Sequence, residues 1–126
     1  MILSKALEIV DRLKRNQYTT EDKVRWIADL DEQIINEIIA NYTDAEDYST
    51  WTRYGTDNTS LARDLVVPDM FAEIYEYKLE MEIDRANGEL NKYNNAMILY
   101  NNMLADYRNW YNKNHTHKQS KIKGKW

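Results

Sequence analysis

The sequence predicts an all-α fold: a small bundle of about four helices, with a long irregular loop between helices 2 and 3 and a flexible basic C-terminal tail. Three observations point there. Only three Gly and one Pro occur in 126 residues, too few for the tight turns that a strand-rich fold needs. Apolar residues recur at spacings of three and four along most of the chain. The composition, 43% hydrophobic and 30% charged, is that of a globular domain with one modest core. That single domain is expected over residues 1–112, with the tail over 113–126.

The first helix is expected over about residues 4–15, where Leu3, Ala6, Leu7, Val10 and Leu13 share a face. Residues 16–19 interrupt it. The second helix, about 20–41, opens on "TTED": Thr19 can cap, and Glu21 and Asp22 oppose the positive end of the dipole. Ile27, Leu30, Ile34, Ile38 and Asn41 form one ridge, and Ala28, Ile35, Ile39 and Tyr42 a second. A stripe that wide implies two packing neighbours.

Residues 43–66 lack helical period and are rich in Thr, Asp and Ser. A connection of that length is uncommon unless it has a function or is disordered. It carries Tyr48, Trp51 and Tyr54. These aromatics either fold back as a lid on the bundle or act as partner contacts, because Tyr and Trp are favoured interface anchors.

The third helix is expected over about 68–87, with Pro68 at its first position and Asp69 in its first turn. Phe71, Tyr75, Leu79 and Ile83 repeat every four residues. "ANGE" at 86–89 reads as a stop and restart, with Gly88 in the left-handed conformation. The result is a helical hairpin, with one long kinked helix as the alternative. In the last helix, about 89–112, Leu90, Tyr93, Met97, Tyr100, Leu104, Tyr107 and Tyr111 alternate spacings of three and four. Four of the seven are Tyr, whose hydroxyl needs water or a partner, so the seam suits a surface or an assembly interface. Tyr100, Tyr107, Trp110 and Tyr111 are the expected subunit contacts.

That helix also spends Asn at 91, 94, 95, 101, 102, 109 and 112. Each exposed Asn in place of Ala costs about 0.5 kcal/mol of helix propensity. Two explanations stand. Asn supplies adaptable hydrogen bonding at wet interfaces. Alternatively, Asn, Ile, Lys and Tyr make up 44 of 126 residues, all with AT-rich codons, so a low-GC genome would produce the same surface.

Several chemistries are excluded or disfavoured. There is no Cys, so disulfides, thiolate metal sites and a cysteine nucleophile are absent. His115 and His117 both lie in the tail without a nearby carboxylate, a poor metal site and more simply a solvated pair. Glu73, Glu76 and Glu80 read as a solvated face, because a carboxylate-bridged metal centre also needs His on a facing helix. No phosphate-cradling Gly loop or nucleophile elbow is present. The expectation is no enzyme, no catalytic residues, no metal and no cofactor. The start, "MILSKALEIVDRLKR", is broken by Lys5, Glu8 and Asp11 and does not resemble a secretory signal. No apolar run is long enough to span a membrane. A cytoplasmic protein, or one built into a particle assembled there, is expected.

Charge is distributed unevenly. Residues 1–112 hold 12 basic and 21 acidic residues, a net of −9, whereas residues 113–126 hold five Lys and no acid. Lys118, Lys121, Ile122, Lys123, Lys125 and Trp126 could dock on a partner that orders the segment. The same lysines could touch phosphates, although the acidic body repels nucleic acid. A plain solubilising end is the third reading.

"IVDRLKRNQYTTEDKVRWIADLDEQI", "LVVPDMFAEIYEYKLEMEIDRANGELNKYNNAM" and "WYNKNH" together resemble a family of small proteins from phages and prophages of low-GC Gram-positive bacteria, encoded between capsid and tail genes. The resemblance is carried by Asp11-Arg12-Leu13, Tyr18, Lys23, Trp26, Leu65, Pro68, Tyr75, Ile83-Asp84, Gly88-Glu89, Tyr93-Asn94-Asn95 and Trp110-Tyr111. It spans roughly residues 5–114; the loop and the lysine-rich end depart from it. It implies a head–tail connector (adaptor, head-completion) protein, a virion structural subunit that forms a ring, commonly of twelve, beneath the portal. Its implied partners are further copies of itself, the portal protein and a neighbouring tail or stopper protein. DNA passes through without specific binding, and no membrane is involved. The competing readings are a small phage-encoded nucleic-acid-binding or regulatory protein, and a module that binds one host protein.

Overall fold

The computed structural model of the chain describes residues 1–118. Helix α1, Leu3–Leu13, buries Leu3, Ala6, Leu7 and Val10, the face set by its period. Leu13 lies outside that face, 59% exposed. The helix stops two residues before the expected Arg15, because Lys14 is extended (φ −140°, ψ 105°) and pairs with the buried carboxylate of Asp84. The segment before α1 is pinned: the Leu3 N–H donates to the Arg63 carbonyl at 3.0 Å, and the Leu65 N–H to the Met1 carbonyl at 2.8 Å.

Helix α2, Thr20–Glu37, starts where the sequence places it. The Thr19 hydroxyl accepts from the Asp22 N–H at 3.1 Å. Val24, Trp26, Ile27, Ala28, Leu30 and Ile34 are buried, and so is Asp31. The expected end at Asn41 is corrected. The α-helix ends at Glu37 and tightens into a 3-10 turn, Ile39–Asn41, with the Asn41 side chain donating to the Glu37 carbonyl at 2.7 Å. Such tightening satisfies carbonyls that an α-helix end leaves unpaired.

The connection 43–66 packs on the bundle and holds one short helix, α3, Asn58–Leu61, capped by Asp57. Pro68 does not begin the next helix. It is extended (ψ 159°) before a 3-10 turn, Asp69–Phe71, and helix α4 runs over Glu73–Ala86. The delay has a packing cause: Val67 is 1% exposed and its N–H donates to the Tyr75 hydroxyl at 2.8 Å, which keeps the segment before Pro68 out of the helix. α4 is the central element, packing against α1, α2 and α5. It buries Ile74, Tyr75, Leu79, Met81 and Ile83 together with Glu82 and Asp84.

The hairpin reading holds. Gly88 has φ 73°, and the Glu89 N–H reaches back to the Asp84 carbonyl at 2.9 Å, the six-to-one bond of a left-handed helix cap. A Cβ at Gly88 would meet nothing within 4 Å, so Gly88→Ala isolates backbone strain. It should lower stability by about 1 kcal/mol in urea unfolding with an unchanged denaturant slope; an unchanged midpoint would show that the turn does not constrain the hairpin.

Helix α5, Leu90–Asn114, lies antiparallel along α4 and buries Ala96, Tyr100, Tyr107 and Tyr111. Its asparagines at 91, 94, 95, 101, 102, 109 and 112 are all exposed, as is Asn114. The chain beyond α5 also departs from the expected tail. Lys113 and Asn114 complete the helix, and residues 116–118 pair with 41–43. The Thr43 N–H donates to the Thr116 carbonyl at 2.9 Å and the Lys118 N–H to the Asn41 carbonyl at 2.8 Å. Asp44 accepts from the Thr116 N–H at 2.8 Å. None of the described helices is long and apolar enough to cross a membrane.

Candidate functional site

One buried carboxylate positions the long connection. Asp31, fully buried on α2, accepts from the Tyr75 hydroxyl of α4 at 2.6 Å, from the Tyr54 hydroxyl at 2.6 Å and from the Val66 N–H at 3.1 Å. Both oxygens are thereby satisfied, and residues 54 and 66 are tied to the helix floor. Burial pushes the Asp31 carboxyl above its ordinary value, even though these three hydrogen bonds and the Arg63 charge act in the opposite direction. Burial next to that carboxylate likewise raises Tyr54 and Tyr75.

The raised carboxyl sets a sign for pH dependence. The folded chain holds the Asp31 proton more tightly than the unfolded chain, so this group's contribution is fully present at low pH and is lost as pH rises through the folded value. Lowering the pH from 7 toward the ordinary carboxylate range should therefore stabilise the native chain relative to Asp31→Asn. Urea unfolding of both proteins at each pH cancels the other titrating groups. A difference that moves the other way would make the hydrogen bonds, rather than burial, the dominant influence.

Further contacts brace the connection. Arg53 bridges Asp29 and Glu32 of α2 at 2.7 and 2.9 Å. The Arg63 guanidinium lies 4.5 Å from the centre of the Tyr54 ring and 5.8 Å from that of Trp51, and it donates to the Thr52 carbonyl at 2.8 Å. The Trp51 indole N–H donates to the Tyr54 hydroxyl at 3.4 Å.

Between this braced loop and the end of α5 lies a cleft of about 460 Å³. Its aromatic lining is Tyr48, Trp51, Tyr107, Trp110, Tyr111 and the imidazole of His115, with Glu46 and Asp64 as its carboxylates. Tyr48, Trp51 and Trp110 are half-buried, and Glu46 and Asp64 are exposed. The Tyr48 hydroxyl donates to Glu46 Oε2 at 2.8 Å. Trp110 stacks on Tyr107 at 6.1 Å between ring centres and packs on Phe71 at 5.6 Å. The lining joins aromatic faces to negative charge, a combination that attracts cations.

The residues singled out in the sequence therefore separate into groups. Tyr48, Trp51 and Trp110 come together in the cleft. Tyr54, expected as a partner contact, is 6% exposed and clamps the loop to Asp31. Tyr100, Tyr107 and Tyr111, expected as subunit contacts, are buried within a single chain. α4 and the 3-10 turn before it cover the seam, so only the edges of the last two reach the cleft. Lys118 is exposed and its backbone is paired with Asn41. Lys121, Ile122, Lys123, Lys125 and Trp126 lie outside the described residues.

The His pair is not simply solvated. The His115 ring stacks on Tyr111, 3.8 Å between centres and 7° between planes, and the His117 ring packs on Tyr42 at 4.4 Å. The spacing of four between Tyr111 and His115, the residue that ends α5, was the available signal. Glu76 and Glu80 are likewise half-buried rather than solvated, and burial first, then neighbouring acids, raises both carboxyls. Comparison with protein families, with curated protein sequences and with solved structures finds no match to the chain.

Proposed function

We propose that the chain is a structural subunit of a phage head–tail junction, a connector that assembles as a ring beneath the portal and performs no catalysis. The observation that carries this reading is the placement of an acidic, aromatic-lined cleft and the root of the lysine-rich segment at the same end of the bundle. A bundle with a receiving surface and a basic extension is built for association with large partners. The resemblance of residues 5–114 to phage connector proteins points the same way.

In this reading the acidic body, at a net −9 over residues 1–112, lets DNA pass without adhering, because like charges keep the duplex from settling on the wall. Contacts between copies fall on the exposed face of α5, where Ile98 and Leu99 are 56% and 47% exposed among the asparagines, rather than on the buried tyrosines. The protein would reside in the host cytoplasm during assembly and in the virion afterwards.

Native mass measurement and negative-stain microscopy, on the protein alone and mixed with the portal protein encoded nearby, test the reading. Rings, or added density beneath the portal, are the expected result. A monomer that ignores the portal refutes it, and capture of one host protein would then favour an interaction module. DNA binding that weakens steeply with salt would favour a nucleic-acid-binding protein.

A further inference from the structure

Helix α5 packs chiefly on α4, and its opposite side carries a pattern that the folding of one chain does not use. At about 100° per residue, a strip centred between Asn101 and Asn102 faces away from the buried Ala96, Tyr100, Tyr107 and Tyr111. The strip is exposed along its length and carries no charge. Its sequence reads nearly the same in both directions. About the centre, Asn91 matches Asn112 and Asn94 matches Asn109. Ile98 and Ala105, equally far from the centre, set a large apolar residue against a small one.

Codon bias does not account for the strip. Lys has codons as AT-rich as those of Asn, yet residues 91–112 hold seven Asn and one Lys, whereas the rest of the chain holds six Asn and nine Lys. Charge points to a second copy as the occupant. α5 has one carboxylate, Asp106, in 25 residues, against five in the 14 residues of α4, so two acidic chains repel one another least here.

We propose that the outer face of α5 pairs two copies of the chain antiparallel, about a two-fold axis between Asn101 and Asn102. Ile98 of each copy then packs on Ala105 of the other. Asn91 lies level with Asn112 and Asn94 with Asn109, and each amide both donates and accepts, so like pairs with like. Asn101 and Asn102 each meet their own copy across the axis. Asn112 is partly engaged within its chain: its Oδ1 accepts from the Tyr42 hydroxyl at 3.3 Å and meets His117 Nε2, which leaves its N–H groups to donate. The contact is about 33 Å long, at the small end for a specific interface, so a weak pair in equilibrium with the monomer is expected.

The inference rests on the connector reading for the use of this face between copies, and it adds a regulation. A two-fold contact closes on itself, whereas a ring beneath a portal is polar and has no such axis between neighbours. The pair therefore belongs to the free chain, and it covers the ring-forming face until the portal competes for it.

Because the chain has no Cys, single cysteines report the register in a glutathione buffer. With helix axes about 9 Å apart, position 102 of one copy lies within disulfide reach of position 102 of the other. Position 94 lies about 22 Å from its counterpart along the axes. Asn102→Cys should cross-link to itself. Asn94→Cys and Asn109→Cys should each stay monomeric alone and cross-link when mixed. Ala105→Glu, an exposed change that should leave the helical circular dichroism in place, lowers the cross-linked fraction about tenfold by burying a charge.

Self-cross-linking of Asn94→Cys would mean a parallel pair and overturn the two-fold. Absence of cross-linking at 102 at high protein concentration would overturn the pairing itself. Pairing without portal-bound rings would uphold the α5 contact and remove the connector; portal-bound rings from a chain that does not cross-link at 102 would do the converse.

Discussion

Asp31→Ala should cost about 3 kcal/mol of stability and release the long connection from the bundle. The substitution strands three donors in a dry interior: the hydroxyls of Tyr54 and Tyr75 and the Val66 N–H. A buried donor without a partner costs about 1–3 kcal/mol, and the missing side chain leaves a void besides. Removing a buried charge recovers part of its desolvation penalty, which keeps the total below the simple sum.

For a chain of 126 residues a loss of that size lowers Tm by roughly 10–15 °C. Hydrogen exchange gives a local signature, because amides in 52–67 should lose protection before those of α4 and α5. Tyr54→Phe, which removes one donor and leaves Asp31 two others, should cost only about 1 kcal/mol. A drop below 1 kcal/mol for Asp31→Ala, with loop protection intact, would show that aromatic packing and the Arg53 bridges hold the connection without the carboxylate.

How much of this was legible in the sequence depends on the range of the interaction. Local signals read correctly: the Thr19 cap, the left-handed Gly88 and the outward-facing asparagines all follow from contacts within one or two helical turns. The Asp31 clamp does not, because its partners lie 23, 35 and 44 residues away and periodicity carries no such information. One trace existed, an acid at 31 four residues after Ile27 and next to Leu30, beside the buried apolar residues Ile27, Leu30, Ile34 and Ile38. The start of α4 was misplaced for the same reason. Pro68 suits a first helical position locally, but the Val67 N–H is taken by the Tyr75 hydroxyl. The tyrosine seam was recognised while its burial was not, because ten Tyr in 126 residues leave open which rings are covered.

Tyr107→Ala separates a core position from an assembly contact, and its expected effect is the other large one. The ring is 1% exposed, packs edge-on against Phe71 at 5.7 Å and meets Tyr111 at 5.8 Å. Removing a buried aromatic costs about 3–5 kcal/mol, and the aromatic pairs contribute about 0.5–1.5 kcal/mol each beyond their area. Tyr107 also forms part of the cleft wall, where water can enter the space left behind, so the lower end of the range is expected. Trp110→Ala, at a half-exposed neighbour, should cost distinctly less.

Urea unfolding at two protein concentrations about 100-fold apart decides between the roles. A residue of the monomer core lowers stability equally at both, because folding of one chain does not depend on concentration, whereas a contact between copies gains stabilisation by mass action as concentration rises. A Tyr107→Ala loss that appears only at the higher concentration would return this tyrosine to the interface and overturn its place in the core.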